Sequence, residues 1–261
     1  MLPAPIPHAR HRPPGRLDLR RPGPGRLAGR RASLLLILAA AVLLAGCGSV
    51  GYYAQSVHGH LSLLAAREPI PELLAGGAEL DADTRGRLER VLEIRRFASA
   101  ALALPDNGSY RSYVALDRDF VVWSVMAAPR FSVEPRTWCF PVAGCVAYRG
   151  YYREAAARAY GRALAAQGDD VYVGGVPAYS TLGWLDDPLP SSVLHWPEWR
   201  LAGLIFHELA HQVVYAPGDT AFNEAFATAV EAEGVRRWLA ARGSPGQRAT
   251  YERFRREQAA V

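Results

Sequence analysis

The chain has 261 residues, half of them hydrophobic, with 30 basic and 25 acidic side chains and a formal net charge of +5. That length supports a real hydrophobic core in one domain or two small ones. The positive charge does not mark a nucleic-acid binder. Residues 1–31 hold eight arginines against the single acid Asp18, and without that segment 22 arginines face 24 acids, a net charge of −2. No nucleic-acid partner is therefore expected of the folded part.

In chain order, the basic stretch leads into Ser33–Ala45, an apolar run too short to span a bilayer, which predicts a secretory signal. The run ends Leu44-Ala45-Gly46-Cys47, which resembles the bacterial lipobox. The resemblance implies that residues 1–46 are a lipoprotein signal peptide and that Cys47 is lipidated as the first residue of the mature chain. It also implies a lipid-anchored protein on the periplasmic face of the cell envelope. Gly48 rather than an aspartate follows Cys47, which by the same resemblance favours outer-membrane sorting. The basic stretch is long for a signal, which suggests a translation start downstream of Met1. An acyl anchor holds a protein on the membrane without a spanning helix.

Residues 47–104 carry leucines and other apolar residues at mixed three- and four-residue spacing, which predicts helices, interrupted at Pro69 and Pro71. Pro105-Asp106-Asn107-Gly108 predicts a turn. Short aromatic and β-branched runs predict strands at 113–116, 120–125, 138–142 and 145–148. With Cys47 lipidated, Cys139 and Cys145 are an even pair in an oxidising compartment, which predicts a disulfide. Two buried thiols or a second metal site are the alternatives, the latter lacking a companion ligand pair. An alanine-rich helix is predicted over 153–167, stopped by Gly168, and then a strand at 171–173.

The most informative segment is His207-Glu208-Leu209-Ala210-His211, followed thirteen residues later by Glu224. On a helix, residues four apart share a face, so both imidazoles can reach one ion. A carboxylate from the next helix completes three ligands and leaves the fourth position open, the catalytic rather than the structural arrangement for zinc. Glu208 then stands beside the first ligand as a general base. Pro197 predicts the start of the first helix, Ala216-Pro217-Gly218 its end, and Asp219 or Thr220 the cap of a second helix over about 220–242. Asp219, Asn223 and Thr228 are candidate partners for the histidines' second ring nitrogens, and Glu231 and Glu233 read as a solvated helix face.

This motif, with Asn223-Glu224-Ala225-Phe226-Ala227, resembles the gluzincin metallopeptidases and in particular the zinc aminopeptidases. Leu104–Tyr110, Trp138–Cys145 and Gly174–Trp184, with Gly51-Tyr52-Tyr53, extend the resemblance to the bacterial "putative aminopeptidase" lipoproteins over most of residues 47–243. The resemblance implies an α+β fold with a zincin-like core over 121–261, a small mixed sheet with a metal-binding helix pair, behind a mainly helical region over 47–120. It implies one zinc ion held by His207, His211 and Glu224, with Glu208 catalytic and a peptide as substrate. Relatives continue with more helix, which implies a C-terminus truncated here.

In zincins the strand before the metal helix lies beside the cleft, so Gly174, Gly175 and Tyr179 are candidate substrate contacts. The zinc aminopeptidases hold the substrate's amine with an acid at about this place. Here Asp186 and Asp187 are the nearest acids, with a turn before Pro188 as their other reading. Tyr179, Tyr215, Tyr151 and His195 are candidate oxyanion donors. The expected function is zinc-dependent peptide hydrolysis by an envelope lipoprotein of aminopeptidase type. A zinc endopeptidase and a non-catalytic, zinc-stabilised scaffold lipoprotein are the alternatives.

Overall fold

The computed structural model describes residues 47–77, 80–140 and 144–260. Residues 1–46, where a signal segment is expected, and the side chain of Cys47 lie outside the described residues. The chain divides into two compact units, Met1–Gly51 and Tyr52–Val261. Of the first, the described part is the opening of α1 (Cys47–Ala65). Among the described residues no helix is long and apolar enough to cross a membrane.

After α1 the chain makes a two-residue strand, β1 (Glu68–Pro69), and helical turns over 70–77. α2 (Ala82–Leu102) starts where the Asp81 carboxylate accepts the Thr84 amide, and ends where Ala103 turns left-handed at φ 54°. Leu88, Val91, Ile94 and Ala98 recur at three- and four-residue spacing along α2 and are buried. The strands are β2 (Ser112–Val114), β3 (Val122–Pro129), β4 (Trp138–Phe140), β5 (Gly144–Val146) and β6 (Arg149–Tyr151). Then come α3 (Glu154–Ala165), β7 (Asp169–Val176), β8 (Leu189–Pro190) and the short α4 (Ser191–Leu194). The chain closes with α5 (Glu198–His211), α6 (Thr220–Arg242) and α7 (Pro245–Gln258), the last begun by a Ser244/Gln247 capping box with Pro245 in the first turn.

The fold is therefore α+β, but among the described residues the strands form three small sheets in place of one. β8 pairs in parallel with β2, Tyr113 opposite Leu189, and β1 closes that sheet antiparallel. β6, β3 and β7 form an antiparallel sheet in which β7 is an edge. β4 and β5 make a hairpin with Cys139 opposite Cys145, and these two are disulfide-bonded. The largest core cluster runs from Ile70 to Tyr251 and gathers α2, α5 and α6 around Ile94, Phe206, Leu209 and Trp238. A second cluster, Trp123, Val125, Ala127 and Tyr151 with Ala157 and Leu164, lies between the antiparallel sheet and α3.

β3 continues to Pro129, past the expected end at 125, because β7 pairs with it along eight residues, from Val122 opposite Val176 to Pro129 opposite Asp169. β6 and β8 went unpredicted: Arg-Gly-Tyr and Leu-Pro carry no alternation, and their extended form comes from the neighbouring strand. α5 stops at His211, before the expected Ala216-Pro217-Gly218 stop. Leu201, Ile205 and Leu209, at helical spacing along α5, are buried, whereas Val213 lies past the helix end and is exposed.

Candidate metal centre

α5 and α6 cross closely because two glycines remove side chains at the contact. A Cβ on Gly234 would stand 2.6 Å from the Phe206 ring, and one on Gly203 3.1 Å from the Glu231 carboxylate. The loop between them is closed by Asn223, whose buried amide accepts the Ala216 N–H at 2.7 Å and donates to the Ala216 carbonyl at 2.9 Å. Asp219 caps α6 on the Phe222 amide. Neither hydrogen-bonds a histidine ring, the role expected of them from the sequence.

This crossing brings His207, His211 and Glu224 together, with one donor atom from each within 4.8 Å of the others. The Nε2 atoms of His207 and His211 face each other at 3.2 Å. The Glu224 carboxylate stands 3.2 Å from His207 Nε2 and 3.6 Å from His211 Nε2. Tetrahedral zinc with bonds of about 2.0–2.1 Å separates its ligands by roughly 3.3 Å. The donor set, two imidazoles and a carboxylate at that spacing, fits such an ion. Glu224 is exposed, so the set opens to solvent on its side.

The partner of His207 Nδ1 is Glu231, at 3.1 Å. This corrects the reading of Glu231 as solvated surface. It lies seven residues after Glu224, two turns along the same face of α6, and that face is turned to α5. Glu233 is half-buried and pairs with Arg236 and Arg237, which hold its carboxyl down at about 2. Desolvation pulls the His207 imidazolium down, but the Glu231 hydrogen bond and the charges of Glu208, Glu231 and Glu224 outweigh it and raise its pKa. His211 is lowered by burial and by the His207 charge. Its Nδ1 is buried with no partner among the described residues.

Burial pushes the Glu208 carboxyl up to about 7; the Glu224 and Asp187 charges add to this, while His207 and Ser180 oppose it. A carboxyl poised there suits proton transfer near neutral pH.

The remaining candidates are tied up elsewhere in varying degree. The Asp186 carboxylate accepts the Gly108 amide at 3.1 Å. Asp187 is buried, accepts the Thr181 amide at 2.8 Å and the Ser180 hydroxyl at 3.1 Å, and has its pKa raised by burial against those bonds. The Tyr179 hydroxyl sits between His60 Nδ1, at 2.6 Å, and the Tyr152 hydroxyl, at 2.5 Å. Gly174 and Gly175 lie in β7 opposite Ser124 and Trp123, where Cβ atoms would meet the rings of Tyr172 and Phe120. Close packing of the Phe120 ring accounts for Gly175, whereas the ring tip facing Gly174 belongs to the exposed Tyr172 and can move aside.

Among the oxyanion candidates, Tyr151 is buried in the second cluster and His195 faces Asp83. The Tyr215 ring is 6.5 Å from the His211 ring. Tyr148, which sequence reading missed, is raised by burial first, then by the charges of Tyr215, Tyr52 and Glu224. It lies in the two-residue link between β5 and β6, at the end of the strand expected over 145–148, and nothing in that pattern marked it as a site residue.

Residues 51–261 match the family described as "Putative aminopeptidase", and the chain belongs to that family. No curated protein matches it. No solved structure does either.

Proposed function

We propose that the chain is a zinc-dependent peptidase, an aminopeptidase of gluzincin type on a zincin-like core, carried on the bacterial envelope by a lipid on Cys47. The observation that carries this reading is the convergence of His207, His211 and Glu224 at the ligand spacing of one tetrahedral ion, beside a half-buried glutamate. Membership of an aminopeptidase-like family supports the reaction class.

A bound zinc ion supplies Lewis acidity at the scissile carbonyl and makes a water more acidic. Glu208 accepts the proton of the attacking water as it adds to the peptide carbonyl, and passes that proton to the departing amine. Glu231 holds the His207 ring with Nε2 turned towards His211 and Glu224. The free edge of β7 is the expected rail for extended substrate backbone.

An endopeptidase is the second reading, favoured by one observation: both Asp186 and Asp187 are engaged within their own loop and its neighbour. The two are separated by incubating the protein with aminoacyl p-nitroanilides and with N-blocked peptides, with and without chelator. Chelator-sensitive release from free amino termini alone is the expected result. Cleavage of blocked peptides would favour the endopeptidase, and no cleavage of either would sink the enzymatic reading. Glu208→Gln should keep its zinc and lose about 10²–10⁴-fold in turnover, the usual scale for a general base. Full activity in that variant would remove Glu208 from the mechanism.

A further inference from the structure

We propose that Arg95 is a positioning residue for the metal centre, acting through the Pro105–Tyr110 loop on Gln212, the residue after His211. The inference rests on the zinc reading above. Arg95 is completely buried in α2, yet among the described residues no carboxylate forms an ion pair with it. A buried charge is tolerated only when its hydrogen bonds are met, and arginine stays protonated at any biological pH. Nη1 donates to Ser99 Oγ within α2 at 3.1 Å, and the other bonds converge on one loop. Arg95 Nε donates to the Ser109 carbonyl at 2.8 Å, and Nη2 donates to the carbonyls of Pro105 at 2.8 Å and Asn107 at 3.1 Å.

Asn107 and Ser109, whose carbonyls face Arg95, also hold Gln212 through their side chains, with Asn107 Oδ1 in addition accepting from Arg95 Nη2 at 3.4 Å. Asn107 Nδ2 donates to Gln212 Oε1 at 2.7 Å, and Gln212 Nε2 donates to Ser109 Oγ at 3.3 Å. The same loop grips the approach to the site, where the Tyr110 amide donates to the Asp187 carbonyl at 2.7 Å. Gln212 is the cap that ends α5 directly after His211.

The two histidines differ in how they are aimed. His207 is oriented by Glu231, but His211 Nδ1 is buried without a partner among the described residues. The aim of His211 therefore depends on where its backbone is held, and Gln212 is the neighbouring point of attachment. A cation that fixes three carbonyls of the holding loop fixes that attachment.

The test is the zinc dissociation constant, measured by competition with a chromophoric chelator well below the melting temperature. It compares the wild type, Arg95→Lys, Asn107→Ala, the double variant, and Val125→Ala as a core control in the separate sheet cluster. Loss of outer-sphere support usually weakens metal binding by about 10–100-fold. That loss is expected in both single variants, with a double variant no weaker than the worse single because they act on one connection. Val125→Ala should lose stability and keep wild-type affinity. Wild-type affinity in Arg95→Lys and Asn107→Ala overturns the inference, whatever their melting temperatures. Should Arg95→Lys fail to fold, Asn107→Ala, which leaves the backbone carbonyls facing Arg95 in place, decides alone. A wild type that binds no zinc overturns the functional reading and this inference with it, whereas a zinc-binding wild type with unchanged variants overturns this inference only.

Discussion

Three carboxylates act on one histidine pair and a fourth, Asp187, acts on one of those three, and position separates their roles. Glu224 is exposed and points its oxygens at both Nε2 atoms, Glu231 takes the far nitrogen of His207, Asp187 is locked into its own loop, and Glu208 is half-buried beside His207. The cost of that last burial is measurable in metal-free protein. A carboxyl whose folded pKa is raised, here from 4.5 to about 7, contributes stability below its unfolded value and loses it as pH rises through the folded one. Metal-free Glu208→Gln, which carries no charge there, should therefore gain on metal-free wild type between pH 4.5 and 7 and keep its lead above. Parallel denaturation midpoints for the two across that window would show that the charge is not desolvated.

At the scale of elements, the site exists because α5 and α6 touch over glycines. Gly234→Ala places a methyl against the Phe206 ring, an overpacking expected to cost about 1–3 kcal/mol, read as a lowered denaturation midpoint. An unchanged midpoint would mean that the helices do not meet there. This pair of helices was legible beforehand: Pro197 marks the first start, Asp219 the second, and the four-residue histidine spacing needs only helical geometry. What was not legible depends on knowing which face turns inward. Glu231 and Glu233 look alike in sequence, and only the crossing at Gly203 sends the first to His207 and leaves the second with arginines. Likewise, β8 is extended because β2 lies beside it, and Asp187 is buried by a loop whose anchor, Arg95, is ninety-two residues earlier. Such pairings are made by tertiary contact and leave no local pattern.

For the molecule as a whole, Tyr52–Val261 is one compact unit whose largest core cluster is shared by α2, α5 and α6. A ligand that binds only the folded state stabilises it by mass action, about 2.7 kcal/mol at a hundredfold excess over its dissociation constant. For a chain of this size that corresponds to roughly 5–11 °C. Zinc added to chelator-stripped protein should raise the melting temperature by that order, and His211→Ala should abolish the rise. An equal rise in His211→Ala would place the binding elsewhere.

The most direct measurement is the metal content of zinc-equilibrated, desalted protein beside His207→Ala and Glu224→Ala prepared in the same way. The account predicts about one zinc per chain in the wild type, the count that a single three-ligand site takes, and a large loss in both variants. Wild-type protein that emerges folded and without zinc, or variants that retain as much as it does, would contradict it.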